Sequence, residues 1–321
     1  MIWENRIKKL AEKYGYREYM IRRYLEIFDE EELYEFLEAC EKGLKTTIRV
    51  NTIKVRENLL LKRLEERGIV LEKIKWTKYG YTVQKANVPI GATPEYLLGY
   101  YFIQNAASML PPEILFPKNN DIVVDMCAAP GTKTTYLAQL MNNEGTLISI
   151  DSSPTRIKAL IANIQRMGIK NTIVLKMDAR RLYKIGIRFD KILLDAPCTG
   201  EGLIPIDPSR KKSRKLKDIK VMSRIQLELL VSAIKSIKND GIIVYSTCSI
   251  APEENEYVIS QALDEFRDEI KLEPININVG KPGLLKFEDY TFDERLKFAK
   301  RLYPHTDRTI GFFIAKIRKS G

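Results

Sequence analysis

The chain has 321 residues, of which 45% are hydrophobic and 30% are charged, and its formal net charge is +11. This length excludes a single small domain and allows a large core. The positive charge favours a polyanionic partner, with nucleic acid ahead of an anionic membrane surface. The sequence holds no apolar run of about 18 residues and no signal-peptide pattern, so we expect a cytoplasmic protein without a membrane span.

The cysteines Cys40, Cys127, Cys198 and Cys248 form no CxxC pair, and His305 is the only histidine. This pattern disfavours a zinc site, so we expect no metal and reduced thiols. With a single histidine in the chain, acid–base chemistry based on histidine is nearly excluded.

Residues 1–45 show helical periodicity with charged faces, which predicts an N-terminal helical segment of three short helices. Residues 46–98 contain a β-rich run, a helix that ends at Gly68 and two further strands. This β-α-β-β order predicts a small α/β module, whose boundary with the main domain we place near residue 98. The following stretch, PIGATPEYLLGYYFIQ, predicts turns and then a helical run into NAASMLPPEIL.

Residues 99–321 alternate strand and helix patterns, which predicts a mostly parallel sheet with helices on both faces. The first five predicted strands lie at 121–126, 145–151, 171–180, 191–198 and 241–249. A final strand at 311–319 is expected to run antiparallel at the sheet edge. The helix after the second strand should begin with Ser152 or Ser153 as its cap and Pro154 in its first turn.

The loop after the first strand of this sheet, DMCAAPGTKTT at 125–135, contains a single glycine, Gly131. It is neither a GxGxxG motif nor a P-loop, so a nucleotide-cofactor dehydrogenase is disfavoured. Asp151 ends the second strand, where a carboxylate can accept hydrogen bonds from both ribose hydroxyls of an adenosine. Asp178 ends the third strand and is placed to meet an adenine amino group. This pattern fits an adenosine cofactor without a pyrophosphate and predicts S-adenosylmethionine.

Two thiols follow neighbouring strands of the predicted sheet. KILLDAPCTGEG at 191–202 ends a buried strand with Asp195 and Cys198, and Cys248 follows the fifth strand. In the usual 3-2-1-4-5 order both thiols face one cleft. The position of Cys198 beside Asp195 first suggests that Cys198 is a nucleophile.

A methyl donor beside two thiols indicates methylation of C5 of cytosine. A thiolate that adds to C6 makes C5 nucleophilic, and a base must then remove the C5 proton before the enzyme is released. Asp195 can hold N3 and the exocyclic amine of the base. Lys133 can lower a thiol pKa, or contact the base or the cofactor carboxylate.

Three motifs, DMCAAPGTKTT, DAPCTGEG and YSTCSIAPEENE, resemble signature motifs of the RNA cytosine-5 methyltransferases of the NOL1/NOP2/Sun family, of archaeal type. TIRVNTIK, YYFIQNAASMLPPEIL and the terminal RLYPHTDRTIGFFIAKIRK match further family segments, so the resemblance runs from about residue 46 to 319. It implies a Rossmann-like methyltransferase domain at 99–321, with a mostly parallel sheet in the order 3-2-1-4-5-7-6. It also implies that the module at 46–98 is similar to an RNA-recognition motif.

The resemblance assigns roles to the two thiols. It makes Cys248 the nucleophile, and Cys198 the residue that assists proton removal and product release. It implies that Lys133 reaches the target base. The residues that it places in the cofactor site are Cys127, Ala128, Ala129, Pro130, Gly131, Thr132, Lys133, Asp151, Arg156, Asp178 and Asp195.

A basic run, SRKKSRKLK at 209–217, follows the strand that carries Asp195 and Cys198. Its position beside Cys198 predicts contacts with RNA phosphates. Its predicted RNA-binding residues are Arg210, Lys211, Lys212, Arg214, Lys215 and Lys217. The target cytosine must be unstacked to reach both ring faces. We expect a monomer acting on tRNA, because a compact member suits a compact RNA, with rRNA as the second substrate. A catalytically idle RNA-binding or ribosome-assembly factor on the same fold is the alternative, and the presence of both thiols argues against it.

Overall fold

A computed structural model describes residues 2–321 and begins with the three predicted helices. These helices are α1 (Ile2–Tyr14), α2 (Glu18–Tyr24) and α3 (Glu30–Lys42). The Asp29 carboxylate caps α3 by accepting a hydrogen bond from the backbone N–H of Glu32 at 2.9 Å. Their apolar faces form one core with Ile204 and Ile250, which lie in loops of the following domain. The helical segment therefore covers part of that domain.

A four-stranded antiparallel sheet follows in the order β2-β3-β1-β4. Its elements are β1 (Thr47–Val50), α4 (Glu57–Glu66), β2 (Val70–Lys73), β3 (Gly80–Lys85), α5 (Pro94–Leu97) and β4 (Tyr101–Ile103). The β-α-β-β-α-β order is that of a ferredoxin-like fold. The fourth strand occupies YFI, where the sequence predicts a helical run, and it lies beyond residue 98. A boundary at 98 would therefore cut this sheet.

Strand β1 is buried on both faces, which joins the small sheet to the rest of the chain. Ile48 and Val50 pack with α4, whereas Arg49 points the other way and is fully buried. The Arg49 guanidinium donates to the carbonyl oxygen of Thr132 at 2.7 Å and lies 4.5 Å from the ring centre of Tyr136. Burial lowers the pKa of Arg49 to about 9. The central strand thus faces the next domain rather than solvent.

The remaining residues form a large mixed sheet with helices around it. Its strands are β5 (Ile122–Asp125), β6 (Thr146–Asp151), β7 (Thr172–Lys176), β8 (Phe189–Asp195), β9 (Ile237–Thr247), β10 (Ile270–Glu273), β11 (Lys281–Pro282), β14 (Lys300–Leu302) and β15 (Phe312–Lys319), with a separate hairpin of β12 (Lys286–Phe287) and β13 (Tyr290–Thr291). The helices are α6 (Leu110–Leu115), α7 (Thr132–Leu140), α8 (Pro154–Met167), α9 (Arg210–Ser213), α10 (Leu216–Ser236), α11 (Glu256–Glu265) and α12 (Pro304–Asp307).

The strand order confirms the predicted Rossmann-like topology. Strands β7, β6, β5, β8 and β9 lie side by side and parallel, which is the order 3-2-1-4-5. Strand β15 pairs antiparallel with β9, and β10 pairs with β15, so the order continues as 7-6. Strand β14 also pairs with β15, which the sequence did not predict.

Apolar side chains fill both faces of the large sheet. One core includes Ile192, Leu194 and Tyr245, and the other includes Leu193 and Val244. This alternation follows from the period of two along a strand. Within residues 2–321, no helix combines the length and apolar character needed to cross a membrane.

Candidate active site

The two predicted thiols meet at the carboxyl end of the parallel sheet. Asp195 ends β8 opposite Ser246 of β9, so the loops after these strands start side by side. Cys198 lies in the first loop and Cys248 in the second, and their Sγ atoms are 3.1 Å apart. Because both strands are parallel neighbours, residues far apart in sequence are brought into direct contact.

The contact between the thiols affects how readily Cys198 ionises. Its contact with Cys248 and its burial raise the pKa of the Cys198 thiol well above the ordinary value. Cys198 therefore keeps its proton and can donate it toward the sulfur of Cys248.

Asp195 is held by two side chains. The Nζ of Lys133 donates to Oδ2 at 2.6 Å, and the hydroxyl of Ser246 donates to Oδ1 at 2.7 Å. Lys133 is buried, whereas the Asp195 side chain is 28% exposed. The carboxylate is thus fixed by buried donors and still reaches the open space in front of the sheet.

That space is a cavity of about 600 Å³ at the end of the parallel strands. Its wall includes the predicted residues Cys127, Ala129, Asp151, Arg156, Asp178, Asp195, Cys198, Arg210, Arg214 and Cys248. Its volume falls within the range of small-molecule sites. One cavity therefore unites both thiols with all three predicted acidic residues.

Asp151 forms the bottom of one side of the cavity. Its Oδ1 accepts from the backbone N–H of Ser153 at 2.9 Å, and its Oδ2 accepts from the backbone N–H of Ala129 at 3.2 Å. Arg156 approaches Oδ2 at 3.4 Å. Ser153 also caps α8, as the sequence predicts, by accepting from the backbone N–H of Arg156. A carboxylate oxygen has two lone pairs, so Asp151 can still accept from a ligand.

Asp178 follows β7, the strand that pairs with the strand of Asp151, and it lies beside an apolar wall. The guanidinium of Arg180 donates to both of its carboxylate oxygens, at 2.7 Å for Nη2 to Oδ2. These hydrogen bonds lower the pKa of Asp178. Ile225 and Leu229 line the same part of the cavity. Apolar side chains next to a carboxylate can hold a flat ring that carries an amino group.

The rest of the predicted cofactor loop supports the cavity from behind. Ala128, Pro130, Gly131, Thr132 and Lys133 are not part of the cavity wall. Gly131 has a φ of +104°, and a side chain there would meet Leu160 of α8 at 3.0 Å. Glycine is therefore required for the turn into α7 and for its close approach to α8.

The basic run is divided between the cavity and the protein interior. Arg210 and Arg214 both donate to the carbonyl oxygen of Thr199, at 2.9 and 3.3 Å, and both line the cavity. Lys211 is buried, and its Nζ donates to the carbonyl oxygen of Tyr14 and to Glu41. The structure therefore places the ammonium group of Lys211 against the N-terminal helices and not at the cavity with Arg210 and Arg214. Lys212, Lys215 and Lys217 are exposed.

Several polar residues at the site were not predicted. Ser246, which precedes Cys248 by two residues, binds Asp195, and Arg180 binds Asp178. A serine or arginine next to a predicted site residue is too common to be singled out by sequence. Within residues 2–321, no group of three or more His, Cys, Asp or Glu side chains is arranged to hold a metal ion.

The structure is a Rossmann-like sheet with three carboxylates and two thiols in one cavity at its carboxyl edge, the architecture expected of an S-adenosylmethionine-dependent methyltransferase. The family model described as 16S rRNA methyltransferase RsmB/F matches residues 112–318, and the N-terminal domain of 16S rRNA methyltransferase RsmF matches residues 18–106. The chain belongs to this family, and its predicted membership of the NOL1/NOP2/Sun family is confirmed.

Relatives with assigned names support the same family. The 28S rRNA (cytosine(4447)-C(5))-methyltransferase of Homo sapiens is 43% identical over 98% of this chain, but the chain spans only 39% of that relative. The tRNA (cytosine(49)-C(5))-methyltransferase of Pyrococcus abyssi is 34% identical, over 99% of both chains. A methyltransferase homolog from Pyrococcus horikoshii is 40% identical over 98% of both chains, with a TM-score of 0.88.

Proposed function

We propose that this protein transfers a methyl group from S-adenosylmethionine to C5 of cytosine in RNA. The observation that carries this proposal is the 3.1 Å contact between Cys198 and Cys248 in a cavity that also contains Asp195. A single nucleophile would not need a second thiol at this distance. The C5 reaction needs one group to bond C6 and another to help remove the C5 proton.

The cavity fits S-adenosylmethionine in the chemistry of its walls. Asp151 would accept hydrogen bonds from the ribose hydroxyls, and Asp178 would accept from the adenine amino group beside Ile225 and Leu229. When bound, this cofactor supplies the methyl group. Asp195 ends β8, which lies between β5 and β9, so its carboxylate would stand between the cofactor loop after β5 and Cys248 after β9.

In the proposed reaction, Cys248 forms a bond to C6 of the cytosine while Asp195 holds the amidine edge of the ring. Lys133 and Ser246 keep the Asp195 carboxylate in place during this step. The bond from Cys248 to C6 makes C5 nucleophilic toward the methyl group that the cofactor would supply. Solvent in the open cavity would take the proton of Cys198, and the resulting thiolate would accept the C5 proton. The electron pair of the C5–H bond would then expel the Cys248 thiolate from C6 and release the methylated base.

Methyl transfer from labelled S-adenosylmethionine to total RNA, followed by nucleoside analysis, tests the proposal. We expect the label in 5-methylcytidine. RNA binding without any methyl transfer would contradict the proposal and support a binding or ribosome-assembly factor instead.

For the substrate we propose tRNA. The tRNA methyltransferase of Pyrococcus abyssi matches this chain along nearly the whole length of both proteins. Ribosomal RNA is the second candidate, because identity is higher, at 43%, to the human 28S rRNA methyltransferase. Bisulfite sequencing of RNA from a deletion strain separates the two. Loss of a methylated cytosine in tRNA supports the proposal, and loss confined to rRNA contradicts it.

A further inference from the structure

Glu254 is a fully buried carboxylate behind the two thiols. Its Oε1 accepts from the backbone N–H of Thr199 at 2.9 Å and from Nε2 of Gln226 at 3.0 Å. Its Oε2 accepts from the hydroxyl of Thr199 at 2.6 Å and from the hydroxyl of Ser249. Four donors therefore converge on one side chain that has no part in the reaction described above.

Two of these partners directly follow the thiols in sequence. Thr199 follows Cys198, and Ser249 follows Cys248, so one carboxylate joins the two thiol-bearing loops. Gln226 also donates to the carbonyl oxygen of Pro197 at 2.9 Å, which ties the residue before Cys198 to the same group. The two loops come from different strands, and backbone hydrogen bonds join them from Ala196 to Ser246 at 2.8 Å and from Gly202 to Cys248 at 3.0 Å. Among residues 2–321 none of these loop backbone hydrogen bonds involves Cys198, so its position depends on the side chains around it.

Burial raises the pKa of Glu254, and the hydrogen bonds of Ser249 and Thr199 oppose that change. An isolated carboxylate in this position would be strongly disfavoured, so the four donors are needed to keep it there.

The four donors to Glu254 differ in whether they can also accept a hydrogen bond. The N–H groups of Thr199 and Gln226 can only donate, whereas the two hydroxyls can turn to accept. A glutamine could therefore replace Glu254 with its carbonyl at Oε1 and its amide group at Oε2.

We propose that Glu254 is a positioning residue that sets the separation of Cys198 and Cys248 through Thr199 and Ser249. This inference rests on the proposed function for its kinetic consequence, whereas the thiol geometry itself can be measured without RNA. Its hydrogen bonds, rather than its charge, carry the role. The conservative replacement Glu254→Gln should therefore retain what Glu254→Ala loses.

The first test measures the thiol contact in the full chain without RNA. Diamide takes two electrons and two protons from two thiols, so that its N=N bond becomes a hydrazine and a disulfide forms. We expect wild type and Glu254→Gln to form the Cys198–Cys248 disulfide at similar rates, mapped by mass spectrometry. Glu254→Ala should form it about 10-fold more slowly, since misoriented groups react slowly. Equal rates in all three proteins would overturn the proposal.

The second test measures methyl transfer. In Glu254→Ala we expect kcat to fall by about 100-fold, as for a reacting group displaced by about 1 Å, with little change in KM for RNA. Glu254→Gln should stay near wild type. Equal losses in both variants would show that charge matters rather than position, and would overturn the proposal. If wild type methylates no RNA but the disulfide rates still differ, the proposed function fails while the positioning role stands.

A milder pair of variants covers the case in which Glu254→Ala does not fold. Ser249→Ala removes one hydrogen bond to Glu254 and also the acceptor of the backbone N–H of Ala251. Ser236→Ala removes an equally buried hydroxyl that donates to the carbonyl oxygen of Ser232. We expect slower disulfide formation and a lower kcat only in Ser249→Ala, with similar melting temperatures for the two variants. Identical behaviour of the two would contradict the proposal.

Discussion

Cys198 and Cys248 are separated by fifty positions in the chain and by 3.1 Å in the fold. Their positions could be predicted because each follows a strongly apolar strand, and parallel strands carry functional groups at their carboxyl ends. The partners of these groups could not be predicted. The contact of Lys133 with Asp195 and the burial of Lys211 depend on side-chain packing between elements, which no local pattern encodes.

Lys133 provides a prediction at the residue scale. Lys133→Met keeps the side-chain length but removes the 2.6 Å contact with Asp195, so the carboxylate is held by Ser246 alone. We expect kcat for methyl transfer to fall by about 100-fold, as for the loss of one preorganised donor. Lys238→Met is the matched control, because Lys238 binds Asp190 at the far end of β8 at 2.8 Å. An unchanged kcat in Lys133→Met would contradict the role of this pair.

The N-terminal helices hold the loops that follow β8 and β9. Tyr24 of α2 donates to Glu201 at 2.8 Å, and the guanidinium of Arg23 donates to Glu253 at 2.7 Å. The helices were predictable because their periodicity is strong. Strand β4 was not, because its three residues are extended only through pairing with β1, far away in sequence. Strand β14 is as short and depends on β15 in the same way.

Glu201 provides a prediction at the element scale. Burial raises its pKa from 4.5 to about 7, so the folded protein holds this proton more tightly than the unfolded chain does. The resulting stability is complete below about pH 4.5 and is lost as the pH rises through about 7. We compare the free energy of unfolding in urea at about pH 5 and about pH 8. Over this range it should fall by roughly 2 kcal/mol more for wild type than for Glu201→Gln.

Glu65→Gln, at an exposed position of α4, is the control for this measurement and should follow the wild-type pH dependence. If Glu201→Gln also follows it, the carboxyl group of Glu201 does not titrate as its burial requires.

At the scale of the whole molecule, the charge of +11 and the position of the cavity bear on how the proposed RNA substrate would approach. The face of the small sheet that carries Arg49 packs on α7, so its central strand β1 is covered. The surface left for RNA is then the cavity rim with Arg210 and Arg214 and the exposed lysines of the same run. The fold class was predictable from strand and helix alternation. The packing of the module on the sheet domain was not, because Thr47 and Arg49 alternate with Ile48 and Val50 along β1, a pattern typical of a strand with one solvent-exposed face.

Such a basic surface predicts that RNA affinity depends steeply on the salt concentration. Contacts between basic side chains and phosphates release counterions, so we expect RNA affinity to fall by about 100-fold between about 50 and about 200 mM salt. Fluorescence anisotropy with the Cys248→Ala variant measures this without turnover. Affinity that is nearly independent of salt would contradict phosphate binding by this rim.

The central claim is that Cys248 bonds to the base and Cys198 completes the reaction. Incubation of each alanine variant with RNA and S-adenosylmethionine, followed by a denaturing gel, tests it most directly. We expect Cys198→Ala to accumulate a covalent RNA–protein band, Cys248→Ala to give neither a band nor methylated RNA, and Cys40→Ala, at a buried thiol of the N-terminal core, to turn over normally. A covalent band in Cys248→Ala and none in Cys198→Ala would contradict the assignment.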